Sequence, residues 1–481
     1  MEDTRKEEGL GFPIMVAAII GSMIGTGVFN LSYNLGLDAS PGAAIVAWIV
    51  CFVGTLVSVL SLKNLLEVDP EGDGLFCYAR RSMGRFAEFM SAWGYWISGW
   101  IGNVAFATMM MIALGTFFPI FGDTGANWPS IIGASLVMWG LYAIVSRGAK
   151  SAMVFQSVIT AIKLIPLAVF VIVTILSFRF EVFTTNFWTN FANNMGATGK
   201  GFDLLSVASQ VNNSMLTLIW VFIGAESAAL LSNQAKSKTE AGRATVVGLT
   251  LVTILEAIIS LIPYGVMTAK EFTALGQPFL GQFLVLYIGP VGAAFIQAAL
   301  VVSIFGAWIS YTLMPTESIT YLADENDLPK VFAKKNKYGI ASFSLFITTM
   351  LCQVFLISMH WTEDAYNFGF SMSGSAILIT WVFIDLYQIQ FTLSHRDAPG
   401  ATKNLVIGVI GLVYYLVCMF VSGINYVVVC FIMYVIGVPL YYKARKDAGD
   451  EHPFEGNQKY LLAATIALAL VGVWLFVTGQ V

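Results

Sequence analysis

Long uninterrupted apolar segments follow one another along the whole chain and limit the folds that are open to it. Most run for about twenty residues, the length that an α-helix needs to cross the hydrocarbon core of a bilayer. Of the 481 residues, 57% are hydrophobic and only 11% are charged, whereas about a quarter of an ordinary soluble domain is charged. We therefore expect an all-α polytopic membrane protein that is embedded in a lipid bilayer.

Apolar segments bounded by charged or turn-forming residues predict thirteen membrane spans. They cover residues 12–36, 42–66, 86–118, 128–146, 153–178, 205–231, 244–268, 279–320, 341–359, 363–388, 403–422, 425–442 and 459–478. Whether the last segment crosses the membrane is open at this stage.

The loops on one side of these spans contain many Lys and Arg residues, and the loops on the other side contain few. With a cytoplasmic amino terminus, 21 of the 25 Lys and Arg residues lie inside, and only Arg179, Lys200 and Lys270 lie outside. Since cytoplasmic loops carry an excess of Lys and Arg, this predicts a multi-pass protein of the cell (inner, plasma) membrane with a cytoplasmic amino terminus. The inner runs KNKYG and KSKTEAGR are then positive loops that meet lipid headgroups, and we expect no nucleic-acid binding.

The few cysteines and histidines argue against a metal site or an enzyme. The five cysteines are scattered, mostly in apolar runs, without CxxC spacing. The three histidines, His360, His395 and His452, all fall near loops, and no HExxH motif or pair of intramembrane acids accompanies them. We expect no metal, no cofactor and no enzymatic activity.

Three glycines interrupt the first span in the stretch IIGSMIGTGVF, residues 19–29. A broken helix at membrane depth is tolerated where its freed backbone groups line an enclosed or water-filled cavity. Freed N–H groups favour a carboxylate and freed carbonyls favour an ammonium group, and an α-amino acid carries both. The alternative is that GSMIG is only a close-packing motif of small residues.

The sixth span contains a second interruption, WVFIGAES, in which Glu226 follows Gly224 by two residues. Spans one and six occupy equivalent positions if spans one to five and six to ten form repeats of opposite topology. Interrupted segments at corresponding positions of two repeats are typical of a transporter binding site.

Four motifs, GSMIGTGVF, YWISGWIGN, WVFIGAES and GAWISYTLMPTE, resemble in order and spacing those of the amino acid/polyamine/organocation transporters, specifically the basic amino acid exchangers. The resemblance covers about residues 10–445. The run SAWGYWISGWIGN looks most like the arginine/ornithine antiporters, and the arginine/agmatine antiporters are further off.

The resemblance implies a LeuT-like fold with broken helices 1 and 6 and about 12–13 transmembrane helices. A short cytoplasmic tail, 1–11, would precede a transporter core, 12–388, made of two inverted repeats, 12–178 and 205–388. The remaining residues, 389–481, would form peripheral helices and a cytoplasmic loop. A homodimer is one option for its assembly.

The same resemblance implies how a substrate amino acid is held. Thr26 and Gly27 would bind its carboxylate, and the backbone carbonyls of Met23, Trp220 and Ile223 would receive its ammonium group. Trp220 could equally be an interface or packing residue, which is the common role of a membrane Trp.

The rest of the implied pocket comes from the third and eighth spans. Asn103 would hydrogen-bond the substrate, and Ser98 and Gly99 would shape the pocket, although Asn103 could instead bond a neighbouring helix. Trp308 would stack with Trp220 on the substrate side chain, and Tyr95 would help to close the route. Thr26 replaces a serine common in these exchangers, and Gly99 stands where relatives carry a larger residue, so both bear on side-chain specificity.

Two ionisable residues lie where charge is expensive. Lys163 is flanked by about ten apolar residues on each side, and it resembles the fifth-span lysine whose ammonium replaces sodium in sodium-independent members; the alternative is a lysine that reaches an interface. Glu226 would stabilise a cationic substrate or couple protonation to gating, unless it forms a structural pair. The roles of Glu256 and Glu317 stay open.

The inner segment PEGDGLFCYARR resembles the cytoplasmic turn of the family. There Gly72 and Gly74 would permit a tight bend, and Arg80 and Arg81 would anchor it. It is not a phosphate loop, because the Lys-Ser/Thr ending is missing.

The sequence thus predicts a sodium-independent antiporter that exchanges a cationic amino acid for its metabolic product by alternating access, with arginine in and ornithine out preferred. Exchanges linked to decarboxylation stay open: histidine for histamine, lysine for cadaverine, or arginine for agmatine. A non-transporting amino acid sensor on the same fold is the alternative from another class.

Overall fold

The computed structural model describes residues 11–69, 75–190, 201–230, 232, 235–361, 365–421 and 424–478. Regular structure in these ranges is helical, apart from isolated β-bridge residues such as the pair Lys335 and Ala341. The helices are α1 (Phe12–Met23), α2 (Gly27–Asp38), α3 (Pro41–Val68), α4 (Cys77–Met83), α5 (Arg85–Gly115), α6 (Trp128–Val145), α7 (Ala149–Leu176), α8 (Phe180–Thr185), α9 (Leu204–Phe222), α10 (Ser227–Leu230), α11 (Lys238–Leu261), α12 (Ala269–Thr273), α13 (Phe279–Asp324), α14 (Ser342–Ser358), α15 (Ala365–Ser394), α16 (Ala401–Val421), α17 (Ile424–Asp447) and α18 (Gln458–Val477).

Within the described ranges, eleven helices are long and apolar enough to cross a membrane, and the bent pair α1 and α2 makes twelve. The prediction of an all-α polytopic membrane protein is therefore confirmed. Each of the thirteen predicted segments contains a helix, and α18, with 20 residues, is long enough to span. The predicted sixth span is α9 with α10, which falls outside the twelve because polar residues such as Gln210, Asn212 and Asn213 lower its hydropathy.

The prediction of one span over residues 279–320 is wrong. Gly289, with φ 68° and ψ −171°, interrupts α13, and Pro290 follows it. Glycine takes this conformation without the penalty that a side chain would bring. The membrane-spanning part is Ala294–Asp324, and Phe279–Gly292 is a shorter apolar helix.

Helix α5 is the centre of the bundle. In the most apolar segment of α5, other parts of the protein bury 89% of the residues, compared with 17% for the corresponding segment of α18. Its glycines let α13 and α15 approach closely: a Cβ on Gly99 would lie only 2.7 Å from Cβ of Pro315 in α13. By contrast α18 exposes Leu470, Trp474 and Val477 by 65%, 57% and 77%, as a helix that faces lipid should.

Charged residues at one end of the bundle form a cluster that we call the Arg85 cluster. Its members come from α4, α5, the loop after α13, α17 and the turn after α17, and they are Arg80, Arg85, Glu88, Glu325, Asp327, Arg445 and Asp450. Asp327 is fully buried, and its Oδ1 lies 3.6 Å from the guanidinium groups of both Arg85 and Arg445. The cluster therefore ties the central helix to the peripheral helix α17.

Two arginines that the sequence assigns to an inner turn have acidic partners. Arg80 Nε lies 3.0 Å from Glu88 Oε2, and Arg81 pairs with Asp69. Gly72 and Gly74, which were expected to permit the bend, lie outside the described residues. The ion pairs hold α4 between the end of α3 and the start of α5.

We expect Asp327 to make folding stability depend on pH. Burial, followed by the charge of Glu88, raises the pKa of Asp327 to about 8, against the opposing effects of Arg85, Arg445 and Arg80; an unfolded aspartate titrates near 3.9. The folded state thus binds the additional proton, so this residue lowers stability progressively as the pH rises from about 4 to 8. As the pH rises through this interval, the thermal midpoint of Asp327→Asn should therefore increase relative to that of the wild type.

The measurement is thermal unfolding of both purified proteins in detergent at several pH values between 5 and 9. A difference between the two midpoints that does not change with pH would contradict the assignment.

Candidate functional site

The first membrane span is broken where the sequence predicts. Helix α1 ends at Met23, α2 begins at Gly27, and their axes differ by 49°. None of the backbone hydrogen bonds in the described ranges uses the N–H groups of Thr26, Gly27 or Val28. Consecutive donors without a backbone partner at the start of a helix are suited to bind an anion.

The sixth span is broken as well. Helix α9 ends at Phe222, Ile223 is extended with ψ 131°, and Gly224 has φ 106°. The short helix α10 resumes at Ser227. The interruption that the sequence predicts in WVFIGAES is therefore present.

Ser22 joins the two breaks. Its hydroxyl donates to Gly224 O at 3.0 Å and lies 2.9 Å from Ser227 Oγ. A Cβ on Gly224 would sit 3.0 Å from Ser22 Oγ and 3.1 Å from Met23 N. Close approach and positive φ both require glycine at this position, and the two breaks form one site as a result.

Lys163 supports the first break from α7. Its side chain is 1% exposed, and its ammonium donates to Gly21 O at 2.7 Å and also to Ile24 O. These carbonyls lose their partners where α1 ends, so the lysine satisfies backbone groups that water cannot reach. The alternative, a lysine that extends to the membrane surface, is wrong.

Aromatic side chains enclose the start of α2. The side chain of Trp220 lies beside Gly27, where a Cβ would be 3.1 Å from the indole Cδ1. On another side of the same indole, a Cβ on Gly102 would be 3.4 Å from Cη2. Phe106 lies 6.3 Å from Trp220 and 4.8 Å from Tyr311 between ring centroids. Trp220 is thus held beside the start of α2 by Gly27, Gly102 and Phe106.

Asn103 makes the interhelical hydrogen bond that the sequence gives as an alternative. Its Nδ2 donates to Tyr311 O at 2.8 Å, and Cys352 Sγ lies 3.9 Å away. Its Oδ1 is buried and has no hydrogen-bond partner among the described residues. Asn103 therefore fixes α5 against α13 and keeps one acceptor for another donor.

Ser98 and Gly99 face different neighbours. Ser98 Oγ lies 3.2 Å from Ser373 Oγ in α15, and Gly99 packs on Pro315 in α13. Both residues hold α5 to adjacent helices, and their effect on a pocket stays a prediction.

Tyr95 and Glu226 lie together at the second break. Both carboxylate oxygens of Glu226 accept from the backbone N–H of Gly224 at 3.2 Å, and the Tyr95 hydroxyl lies close enough to this carboxyl group to interact with it. Tyr95 OH is also 3.6 Å from Met314 Sδ. Glu226 is 1% exposed, so it places a buried acid at the end of the broken helix.

Of the remaining predicted site residues, Met23 and Trp220 already form backbone hydrogen bonds through their carbonyls. Met23 O accepts from Gly25 N at 2.8 Å, and Trp220 O accepts from Ile223 N at 3.1 Å; each carbonyl retains a second lone pair. Trp308 is 1% exposed, and its Nε1 has no hydrogen-bond partner in the described part of the chain.

Several unpaired polar atoms surround the breaks. Besides the N–H groups of α2, these are Thr26 Oγ1, Asn103 Oδ1 and Trp308 Nε1, all buried. Buried polar groups are rarely left without partners, so such a set is suited to a polar ligand. No group of three or more His, Cys, Asp or Glu residues that could hold a metal occurs in the described ranges.

Sequence reasoning missed four residues of this site: Ser22, Phe106, Tyr311 and Ser373. Ser22 lies inside the glycine motif and reads as a small packing residue. Tyr311 falls three residues after Trp308, on the same helix face, and this spacing could have identified it. Phe106 and Ser373 carry no local signal, because only the packing of α5 against α9 and α15 brings them to the breaks.

A family model described as amino acid permease matches residues 10–466. The chain belongs to this family. Over 482 residues it is 38% identical to the arginine/ornithine antiporter of Latilactobacillus sakei, covering 100% of both chains. It is 33% identical to the arginine/ornithine antiporter of Pseudomonas aeruginosa, covering 96% of this chain and 95% of the relative. The arginine/agmatine antiporter of Chlamydia caviae is 30% identical, with 99% and 98% covered. The family that the motifs resemble is thereby confirmed.

We expect Gly224→Ala to damage the site. The change puts an L side chain at φ 106° and within 3.0 Å of Ser22, which costs about 1–3 kcal/mol in backbone strain alone. The thermal midpoint of the purified permease should fall, and its binding of amino acids should weaken.

The matched control is Gly140→Ala in α6, where a Cβ would meet nothing within 4 Å. Its midpoint should stay the same or rise slightly, since alanine favours a helix. Equal midpoints for the two variants would contradict the role of Gly224.

Proposed function

We propose that this permease exchanges arginine for ornithine across the plasma membrane, one molecule for one, without sodium. The observation that carries the proposal is the row of free N–H groups at Thr26, Gly27 and Val28, beside the ring of Trp220. This arrangement supports binding of a carboxylate next to an aromatic surface that attracts a cation. The names of full-length relatives agree with it.

The carboxylate of the substrate binds at the start of α2. A charge-assisted hydrogen bond contributes about 1.5–3 kcal/mol, and the positive end of the helix dipole adds to it. The hydroxyl of Thr26 is buried there and has no hydrogen-bond partner among the described residues. Threonine in place of the serine of related exchangers keeps this hydroxyl and adds a methyl group.

The α-ammonium group of the substrate binds between the broken helices. The carbonyls of Met23, Trp220 and Ile223 lie at or near the ends of α1 and α9 and would accept from it. Carboxylate and ammonium then occupy the two halves of one interrupted backbone.

The cationic end of the substrate lies over Trp220. A cation over an indole face gains about 0.5–2 kcal/mol, most when water is excluded. Glu226 supplies a buried carboxyl group at the same break, and Tyr95 lies close to it. Entry of the cation changes the balance of charge at Glu226, which supports a role for this pair in closing the site.

Sodium independence follows from Lys163. The ammonium already satisfies Gly21 O and Ile24 O, where a sodium ion would otherwise support the break. Arginine and ornithine both carry a net charge of about +1 at neutral pH. One-for-one exchange therefore moves no net charge and requires no coupled ion.

The exchange would proceed by alternating access in a core of two inverted repeats, residues 12–178 and 205–388, with residues 389–481 peripheral. Breaks at corresponding places in the two repeats support this division. The bias of Lys and Arg supports a cytoplasmic amino terminus, so arginine would enter from the side of the sparsely charged loops.

We predict that proteoliposomes loaded with ornithine or arginine take up labelled arginine with or without a sodium gradient, whereas empty vesicles do not. The physical reason is that the site returns across the membrane only when it is occupied. Vesicles loaded with histidine, histamine, lysine, cadaverine or agmatine serve as comparisons.

Uptake driven only by a decarboxylated amine inside would overturn the arginine/ornithine pair and favour the exchange in the name of the Chlamydia relative. Saturable binding without any uptake would overturn transport itself and leave a sensor.

A further inference from the structure

A buried glutamate in α11 has no part in the substrate site described above. Glu256 is 0% exposed, and neither carboxylate oxygen has a hydrogen-bond partner in the described part of the protein. An isolated charge inside a membrane protein is costly unless an opposite charge or a ligand compensates it. Its position in the fold shows which group does so.

Contacts on both sides of Glu256 place it opposite the first helix break. Two turns earlier, Gly248 packs against Ile19 of α1, where a Cβ would be 2.8 Å from the isoleucine side chain. One turn later, Ile259 O accepts from Ser32 Oγ of α2 at 3.1 Å. Positions 248, 252, 256 and 259 share a helix face. This face contacts α1 near Gly248 and α2 near Ile259. Glu256 lies between these two contacts and therefore at the level of the break between α1 and α2.

Lys163 reaches the same break from the other side. Its ammonium binds the carbonyls of Gly21 and Ile24, and it is 1% exposed. The ion pairs closer than 4 Å in the described ranges do not include Lys163 with Glu256. The carbonyls of α1 bind the ammonium, and the carboxylate of Glu256 lies more than 4 Å from it.

No other charged side chain of the neighbouring helices acts on either group. Helix α1 carries no ionisable residue, and α2 carries Tyr33 and Asp38 further along. The charged residues of α11 besides Glu256 are Lys238, Glu240 and Arg243 near its start, and those of α13 are Glu317 and Asp324 near its end. Burial disfavours the charged form of both Lys163 and Glu256, and for each of them the charge of the other opposes this effect.

We propose that Glu256 is the counter-charge of Lys163, and that it acts as a positioning residue which keeps the ammonium charged and in place at the break of the first span. Attraction between charges persists over several ångströms where water is excluded. The carboxylate attracts the ammonium from α11 and so helps to keep it on the carbonyls of Gly21 and Ile24. This role does not depend on which amino acid the permease carries.

If Glu256 and Lys163 form such a pair, the effect of Glu256→Gln on the thermal midpoint should change sign when Lys163 is removed. In the wild type, Glu256→Gln removes the counter-charge with little change in volume and should lower the thermal midpoint. In a Lys163→Met background, Glu256 is a buried charge without compensation. The same Glu256→Gln change should then raise the midpoint, because removing a buried charge that has lost its partner is favourable.

The experiment compares the midpoints of four purified proteins in detergent at pH 8: the wild type, Glu256→Gln, Lys163→Met and the double variant. Thr253→Val, in both backgrounds, is the control one turn away on α11, because its hydroxyl bonds only Leu249 O of its own helix. Its effect should have the same sign and size with and without Lys163.

A rise in the midpoint from Lys163→Met to the double variant supports the proposal, even if Glu256→Gln alone is too unstable to purify. A fall of the midpoint in both backgrounds overturns it, because it would mean that Glu256 only fills space or makes local contacts. The midpoint is measured without substrate, so failure of the arginine/ornithine proposal would not affect this result.

Discussion

The structure depends on how backbone groups that two helices release inside the membrane find partners. An unbonded N–H or carbonyl in hydrocarbon costs several kcal/mol, and the breaks at residues 24–26 and 223–226 release several of each. Lys163 takes two carbonyls, the hydroxyl of Ser22 takes the carbonyl of Gly224, and the carboxylate of Glu226 takes the N–H of the same glycine. The N–H groups at the start of α2 have no backbone partner among the described residues, and our proposal gives them to the substrate carboxylate.

The backbone groups that protein side chains satisfy are therefore different from those that we assign to the substrate. Lys163 from α7 and the hydroxyl of Ser22 next to α10 are the partners of backbone carbonyls at the breaks. These bonds do not involve a ligand, so they fix the angle between the half-helices whether or not one is bound. The free donors face Trp220, where the aromatic rings exclude water and strengthen any charge interaction. A site of this kind suits a small zwitterion, because the two neighbouring breaks offer backbone donors and acceptors close together.

Most of the fold follows from the sequence because its signals are local. Apolar length gives the helices, and glycine in an apolar run gives the breaks at Gly25 and Gly224. The split of α13 at Gly289 was missed because the apolar run continues through it, and only the Gly-Pro pair marks the change. Within the site, glycines and intramembrane charges were found, since each is costly in hydrocarbon and needs a reason to be there.

What the sequence could not give is the set of partners that packing brings together. Ser22 looks like any small residue of a packing motif, and its bonds to the second break depend on how α1 crosses α10. The amide of Asn103 is directed at Tyr311 O rather than wholly at a ligand, which no spacing within α5 reveals. Glu256 could be recognised as unusual, but its relation to Lys163 depends on the placement of α11 against α1 and α2.

The central claim is that the free N–H groups of α2 hold a substrate carboxylate. Equilibrium binding of arginine and of agmatine to the purified protein tests it most directly, because the two share the guanidinium side chain and only arginine has the carboxylate. The loss of one charge-assisted hydrogen bond is worth about 1.5–3 kcal/mol, so arginine should bind at least about tenfold more tightly. Equal affinities for the two compounds would contradict the account.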